Sequence, residues 1–352
     1  GDIMLFQNVM FGTYTRRQSS GIYQAALDLE TGKLTKPTLL IQTGSPTYTV
    51  MSQAGFLYAV NRQNGQGPTG GLGGFNVYDF RNSGEPKKVQ EWLTPDASEA
   101  YLAIDEKRQL LFAANYHLAT LTIFKIKSDG TVTQTDQYTA SGKGPRPEQN
   151  KAHIHFANLT PDGRLAIVDL GSDKVTIFDV TDGKLTLQNV FETGTGFGPR
   201  HMRFNPIYQN VAYVLGELSS LISVVKYDTD TAALILHKTY PTIPNDWTAH
   251  NGAAAIRVSH DGRFVYVSNR GHNSLAVFKV THQGRVLDLV QTIGTAGDFP
   301  RDFNIDPSGQ YIVVANQNTD NVTVFRRNQE SGLLTKIQQD FPIPEGVRVM
   351  FY

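Results

Sequence analysis

The chain has no cysteine, which excludes a disulfide framework and thiolate metal ligands. It carries no excess of either charge: 32 basic side chains balance 32 acidic ones. With no basic tail or stripe, nucleic acid is not an expected partner. No apolar stretch reaches the length of a membrane span and no secretory signal opens the chain. A cytoplasmic protein that does not engage a membrane is therefore expected. Three catalytic or scaffold signatures are also missing. There is no G-x-S-x-G nucleophile elbow, no H-E-x-x-H zinc motif and no WD dipeptide. Their absence removes the serine-elbow hydrolases and the zincins, and argues against a WD40-type scaffold.

What is present is repetition. Seven apolar runs share one pattern: QNVMFGTY, GFLYAVNR, QLLFAANY, GRLAIVDL, QNVAYVLG, GRFVYVSN and GQYIVVAN. Each ends in a small or polar residue at an equivalent place, namely Thr13, Asn61, Asn115, Asp169, Gly216, Asn269 and Asn316. A second apolar run follows each, as in TLTIFKI, KVTIFDV and NVTVFRR. The period of about 50 residues lies in the range of propellers and solenoids. The runs are short, rich in Val, Ile, Phe, Tyr and Thr, and bounded by turns such as Pro161-Asp162-Gly163 and Pro307-Ser308-Gly309, so the unit is all-β.

Phe264 and Tyr266 alternate with Val265 and Val267, so this strand is apolar on both faces. That suits a small sheet stacked between two like sheets. The expected fold is a seven-bladed β-propeller of four-stranded antiparallel blades, read as one domain over residues 1–352. The first copy lacks an innermost strand, and the chain ends in an orphan run, residues 347–352. That run is expected to close the ring by joining the first blade. The glycine-rich stretches Gln63–Gly74 and Gly194–Gly198 open no helix, so neither reads as a phosphate loop. The basic stretch Ser141–Lys151 reads as a solvated loop.

The repeat register nominates a site. In a propeller the loop into each innermost strand and the loop after the second strand lie on one face. Six residues before the hairpin turn, successive copies place Pro46, Ala100, His155, Arg200, Ala254 and Arg301, with Val347 as a seventh. Just past the second strand they place Tyr14, Arg62, Tyr116, Leu170, Glu217, Arg270 and Gln317. These rings bring arginines, a histidine, a glutamate and tyrosines to one mouth. Arginines can clamp a carboxylate or phosphate, His or Glu can activate water, and Arg can stabilise an oxyanion. The set suits hydrolysis of an anionic ester or proton transfer beside a carboxylate. Plainer readings stay open: Arg200 and Glu217 as a structural ion pair, and His155 as a satisfied core histidine. The His153-x-His155 pair offers too few ligands for a metal. His117, His201, His250 and His272 fall near strand ends on the mouth side, each incidental when taken alone.

Gly198-Pro-Arg-His-Met202, Gly216-Glu-Leu-Ser219, Val267–Ser274 (VSNRGHNS), Pro300-Arg-Asp-Phe303 and His153-Ile-His-Phe before TPDGR together resemble the bacterial seven-bladed 6-phosphogluconolactonases. The similarity runs over essentially the whole chain. Fungal 3-carboxymuconate cyclase shares the family fold. The resemblance implies hydrolysis of 6-phosphoglucono-1,5-lactone in the pentose phosphate pathway, without metal or cofactor. It implies catalytic roles for His155, Glu217 and Arg200, with the choice of base between His155 and Glu217 open. Arg270, Arg301, His201, His153, Tyr14 and Tyr116 are the candidate substrate contacts. The chain departs from the pattern at Ala255 and Arg257, in a strand that usually carries an acidic residue and a histidine, and at Gly216, where an asparagine is usual. An extra arginine with a lost carboxylate would retune the substrate. The expected partner is a small anionic molecule, and monomer and dimer both stay open. A cycloisomerase acting on a dicarboxylate lactone and a non-catalytic binding propeller are the alternatives. An enzyme should bring His155 and Glu217 to a common water site, whereas a scaffold should present a flat or apolar rim.

Overall fold

The computed structural model describes residues 5–62, 72–82, 84–95 and 97–352. Among these, 28 strands form seven four-stranded antiparallel sheets, the expected seven-bladed propeller. Most of the glycine-rich run Gln63–Gly74 lies outside the described residues, and Leu72–Gly74 opens a strand. No helix among the described residues is long and apolar enough to cross a membrane.

The two-faced strands pack as their patterning demands. In the strand Phe264–Arg270, Phe264 and Tyr266 join Phe303, Ile312 and Phe325 of the next blade. Val265 and Val267 join Val211, Tyr213 and Val224 of the preceding one. All four side chains are fully buried, each burial stabilising the fold by about 1.5–3 kcal/mol. The phenols at one repeat position then stitch blade to blade. Tyr58, Tyr213 and Tyr266 donate to the carbonyls of Gly130, Gly284 and Gly332, all at 2.7 Å. Each acceptor sits in the outer hairpin of the following blade. Gly332 has φ +74°, and a Cβ there would stand 2.2 Å from the Phe264 ring. Only glycine lets this hairpin lie flat on its neighbour.

The innermost strands carry a shared irregularity. In Ile154–Leu159, Pro199–Phe204 and Pro300–Ile305, pairing with the second strand skips His155, Arg200 and Arg301. In Gly346–Phe351 it skips Val347, and in Gly252–Val258 Ala254 and Ala255 share the place of one residue. Each is a β-bulge, which re-aims side chains at a strand end. Five of the seven positions of the first expected ring are thus bulged residues.

After the bulge the ordinary period of two resumes, giving two deeper tiers. The next tier holds Tyr48, Tyr101, Phe156, His201, Asp302 and Arg348, all buried. Tyr101 lies 4.4 Å from Tyr48, 4.6 Å from Phe156 and 5.2 Å from His201, ring centre to ring centre. The Arg348 guanidinium covers Tyr48 and approaches Asp302 at 3.7 Å. This layer separates the mouth from a cavity of about 790 Å³ at the other end, which is lined by Asn158, Arg203, Arg257 and Asn304.

Adjacent inner strands share no backbone ladder, and side chains bridge them instead. Arg200 Nη1 donates to Ala254 O (2.5 Å), Arg203 Nε to Ile256 O (3.2 Å) and Arg257 Nε to Phe303 O (3.0 Å). Asn304 Nδ2 donates to Val349 O (3.2 Å) and Arg348 Nε to Thr49 O (3.1 Å).

The ring closes as expected. Gly346–Phe351 pairs antiparallel with Phe6–Thr13, with Phe11 opposite Val349 and Met10 opposite Met350. Val347, Val349 and Met350 are buried there. Deleting residues 347–352 should forfeit at least about 5 kcal/mol of apolar burial, a large part of the roughly 5–15 kcal/mol that stabilises a typical domain. Thermal or urea unfolding checks this: a truncated protein with an unchanged transition would contradict closure by this strand.

Candidate active site

The polar residues ending each second strand hold the mouth loops in place. Asn269 Nδ2 donates to Thr242 O and Asn316 Nδ2 to Thr295 O. Asn61 Oδ1 accepts from Thr43 Oγ1 and Gly44 N. Asp169 Oδ1 accepts the amides of His153, Gly171 and Ser172. Two carboxylates fix the longer loops. Glu345 takes the amides of Arg16, Arg17, Gln18 and Ser19. Asp173 takes those of Gly196 and Gly198 at 2.8 Å. The Gly196 and Gly198 amides therefore serve a carboxylate of this chain, consistent with the structural reading of that stretch.

These loops enclose a cavity of about 280 Å³. Tyr14, Arg62, Tyr116, His155, Arg200, Glu217, Arg270 and Arg301 line it together. Seven of these eight are candidates from the register and resemblance, and Arg62 belongs to the second ring. Leu170 is fully buried, and neither it nor Gln317, Ala254 or Val347 reaches the cavity.

Two candidate contacts are corrected. His153 does not line the cavity: its Nδ1 meets Tyr116 O at 2.8 Å, its Nε2 meets Asn150 Oδ1 at 3.3 Å, and its ring stacks on Tyr116 at 4.1 Å. His201 follows the bulge and packs in the buried tier beneath, against His155, Tyr101 and Phe156. The departure at Arg257 is likewise far from the mouth. Its guanidinium pairs with Asp302 at 3.1 Å and lines the opposite cavity, so it does not retune this site. Gly216 has a local reason, since a Cβ there would lie 2.1 Å from Ser219 Oγ.

The register did not single out Arg16, Ser45, Thr47, Ser98 and Glu99, and it treated His117 as incidental; all six line the cavity. Each sits within two residues of a ring position, so the signal was adjacency to Tyr14, Pro46, Ala100 and Tyr116.

The acidic and basic groups interlock. Arg270 Nη2 donates to Glu217 Oε1 at 2.7 Å, and Arg200 Nε lies 3.1 Å from the same oxygen. The second contact has ion-pair distance without hydrogen-bond alignment, leaving Arg200 Nε without a hydrogen-bond partner. Arg301 Nη1 donates to the Tyr14 hydroxyl at 2.6 Å, and Arg301 forms no ion pair among the described residues. The Arg16 guanidinium stacks 3.8 Å above the Tyr14 ring. His155 is buried, and among the described residues its Nδ1 has no hydrogen-bond partner.

The family described as lactonase, 7-bladed beta-propeller, matches residues 8–351. The chain belongs to this family. It is similar to the 6-phosphogluconolactonase of Bacillus subtilis, with 35% identity over 343 residues covering 97% of each chain. A crystal structure from Lactobacillus plantarum superposes with a TM-score of 0.94 at 48% identity, covering 99% of this chain and 100% of that one. The periplasmic gluconolactonase of Pseudomonas aeruginosa superposes at 0.89 with 28% identity, covering 99% of each chain.

The lactonase sets the protonation of its site through burial and arginines. Burial, reinforced by Arg200, Arg301 and Arg270, holds the His155 imidazole well below its ordinary range. Burial with Arg200 and His155 does the same for His201. Both are neutral at pH 7. Burial alone would raise the Glu217 carboxyl, but Arg270 and Arg200 outweigh it and keep it ionised. Burial and Arg270 lower the Arg200 guanidinium to about 9, still a cation at neutral pH. Burial pushes the Glu99 carboxyl up to about 7; its Oε2 has no hydrogen-bond partner. Among the described residues no three His, Asp or Glu side chains converge as metal ligands.

This has a consequence for stability. His155 and His201 take up a proton less readily when folded than at the ordinary histidine value of 6.5. Their contribution is complete above that value and falls away as pH drops below it, where the unfolded chain binds protons the folded one refuses. The slope is about 1.4 kcal/mol per pH unit for each histidine. Urea unfolding from pH 8 to 5 should lose stability below pH 6.5, and His201→Asn should flatten the curve. A flat wild-type profile would contradict the neutral, buried histidine pair.

Proposed function

We propose that the mouth hydrolyses 6-phosphoglucono-1,5-lactone by direct attack of water, without a metal or a covalent intermediate. The observation that carries this reading is the charge of the cavity. Five guanidiniums, of Arg16, Arg62, Arg200, Arg270 and Arg301, face two carboxyl groups, Glu217 and Glu99, and burial raises the second toward neutrality. Such a site favours a small dianion such as a sugar phosphate. The similarity to the Bacillus enzyme supports the same substrate. This reading carries with it a place in the pentose phosphate pathway and in the cytoplasm.

His155 serves as the base. Its imidazole is neutral and Nδ1 has no hydrogen-bond partner among the described residues, whereas Glu217 is tied to two arginines that weaken it as a base. A substrate anion seated among Arg200, Arg270 and Arg301 offsets the repulsion that depresses His155, so binding strengthens the base when it is needed. Arg200 stabilises the oxyanion that forms on the lactone carbonyl. Glu217 orients Arg200 and Arg270, while Arg301, which has no carboxylate partner among the described residues, holds the phosphate. A lactone carbonyl is already reactive, so positioning, one base and one cation are enough. The likeness to a periplasmic gluconolactonase favours a second reading, in which the sugar lactone is not phosphorylated.

Continuous assay of acid release from 6-phosphoglucono-1,5-lactone and glucono-1,5-lactone tests both readings. His155→Ala should lower kcat by roughly 10²–10⁴-fold, and Arg301→Ala should chiefly raise KM for the phosphorylated substrate. EDTA should leave the rate unchanged. Full activity in His155→Ala would remove this residue from the chemistry, and a chelator-sensitive rate restored by a divalent ion would overturn the metal-free mechanism.

A further inference from the structure

The mouth holds two tyrosines whose surroundings push them in opposite directions. Tyr116 packs edge-on to His155 at 5.8 Å; burial, with Glu217 close by, pushes its phenol up to about 12. Tyr14 lies across the cavity among arginines. We propose that Tyr14 is the general acid of the reaction, giving its phenolic proton to the ring oxygen that leaves when the lactone opens. The inference rests on the reading of the mouth as a lactone-hydrolysing site.

The geometry of one hydrogen bond carries the argument. Arg301 Nη1 and the Tyr14 hydroxyl are 2.6 Å apart. A guanidinium has donors and no acceptor, so the phenolic oxygen accepts here. The hydroxyl's own hydrogen must point elsewhere, and among the described residues it meets no acceptor. Tyr14 lines the cavity together with His155, so a substrate oxygen there can receive that proton. The side chain is also held in place. Tyr14 N donates to Glu345 O at 3.1 Å, and the Glu345 carboxylate binds the next turn of backbone through Arg16 N and Arg17 N. Arg16 clamps one face of the ring at 3.8 Å, and the Arg301 guanidinium lies 5.1 Å from the ring centre.

The chemistry needs such a group. Water attack with His155 as base accounts for one proton. As the water oxygen bonds to the carbonyl carbon, His155 takes a proton from that water. As the carbonyl re-forms, the bond from carbon to ring oxygen breaks and its electron pair stays on the ring oxygen. Unprotonated, that oxygen would be an alkoxide, a poor leaving group. The Tyr14 proton converts it to the product's hydroxyl. The phenolate left behind faces Arg301, Arg16, Arg62 and Arg270. The proton on His155 then restores the phenol, and the new carboxylic acid ionises into solvent. Electrostatics agree with this role: burial alone would hold the proton on Tyr14, but Arg301, Arg16 and Arg270 outweigh it and bring the phenol below its ordinary value of 10.0. The same arginines, Arg301 and Arg270, that make Tyr14 a readier acid keep His155 neutral and able to accept a proton.

The test is steady-state hydrolysis of 6-phosphoglucono-1,5-lactone as a function of pH, corrected for spontaneous opening. Wild type should lose kcat/KM as pH rises through the Tyr14 ionisation. Tyr14→Phe should lower kcat by roughly 10²-fold, leave KM within about threefold, and remove the Tyr14 part of that limb, leaving only the loss set by Arg200, whose guanidinium burial and Arg270 lower to about 9. Replacing Tyr14 by 3-fluorotyrosine, a more acidic phenol of nearly the same shape, should move the limb to lower pH, and it carries the test alone if the phenylalanine variant does not fold. A defect confined to KM, full kcat in Tyr14→Phe, or a limb that ignores fluorination would overturn the proposal while leaving the lactonase reading intact. Wild-type protein inactive on both this lactone and glucono-1,5-lactone would overturn the reading of the site, and this inference with it.

Discussion

The β-bulge at the mouth end of the inner strands is the constraint on which the site depends. In a regular strand, consecutive side chains point to opposite faces, so a channel would receive every second residue. The extra residue turns both His155 and Phe156 toward the axis, and likewise Arg200 with His201 and Arg301 with Asp302. The outer member of each pair reaches the cavity and the inner member helps seal the channel below it. The cavity-lining groups therefore sit directly on a packed aromatic and ionic floor, which removes water from one side of the imidazole and, with the neighbouring arginines, depresses its basicity.

The arginines do two jobs that the fold makes compatible. A ring of blades has no backbone ladder between neighbouring sheets, so its axis depends on side chains long enough to reach across. Arg200, Arg203, Arg257 and Arg348 each spend at least one donor on the next blade. A guanidinium has five donors in a fixed fork, so Arg200 can bridge blades and still face a ligand. Carboxylates are placed to match: Asp302 lies between Arg257 and Arg348, and Glu217 between Arg200 and Arg270. Removing either acid would leave buried cations in mutual repulsion, a far larger cost than the loss of a surface pair.

Much of this was legible in the sequence because a repeat supplies its own ruler. Counting back from each hairpin turn found His155, Arg200 and Arg301, and counting past each second strand found Tyr14, Tyr116, Glu217 and Arg270. The ruler does not reveal the bulge, which is a property of hydrogen bonding between strands and leaves no mark in residue type. His201 was consequently misjudged: it neighbours Arg200 in the chain yet sits one layer deeper. His153 was misjudged for a different reason, because Tyr116 stacks on it and occupies the place through which it would have faced the cavity. Arg257 looked like a change at the site from the linear pattern, but it lies three residues beyond the mouth register, at the other end of the channel. Glu99 and Arg16 lie beside ring positions, but whether a neighbour turns into the cavity depends on loop conformation fixed by tertiary hydrogen bonds, which adjacency alone does not give.

The sealed channel also determines traffic. Tyr48, Tyr101, Phe156, His201 and the Asp302–Arg348 pair form a partition, and the cavities on its two sides share no lining residue. The mouth cavity is thus a cup rather than a tunnel, and whatever enters by its rim must leave by the same rim. Under the proposed function, ring opening turns the lactone into an open-chain acid carrying one further negative charge, which the arginines proposed to draw the substrate in would also hold. Departure of that acid therefore stands directly in the path of the next arrival, and occupancy by product and by substrate are mutually exclusive by architecture.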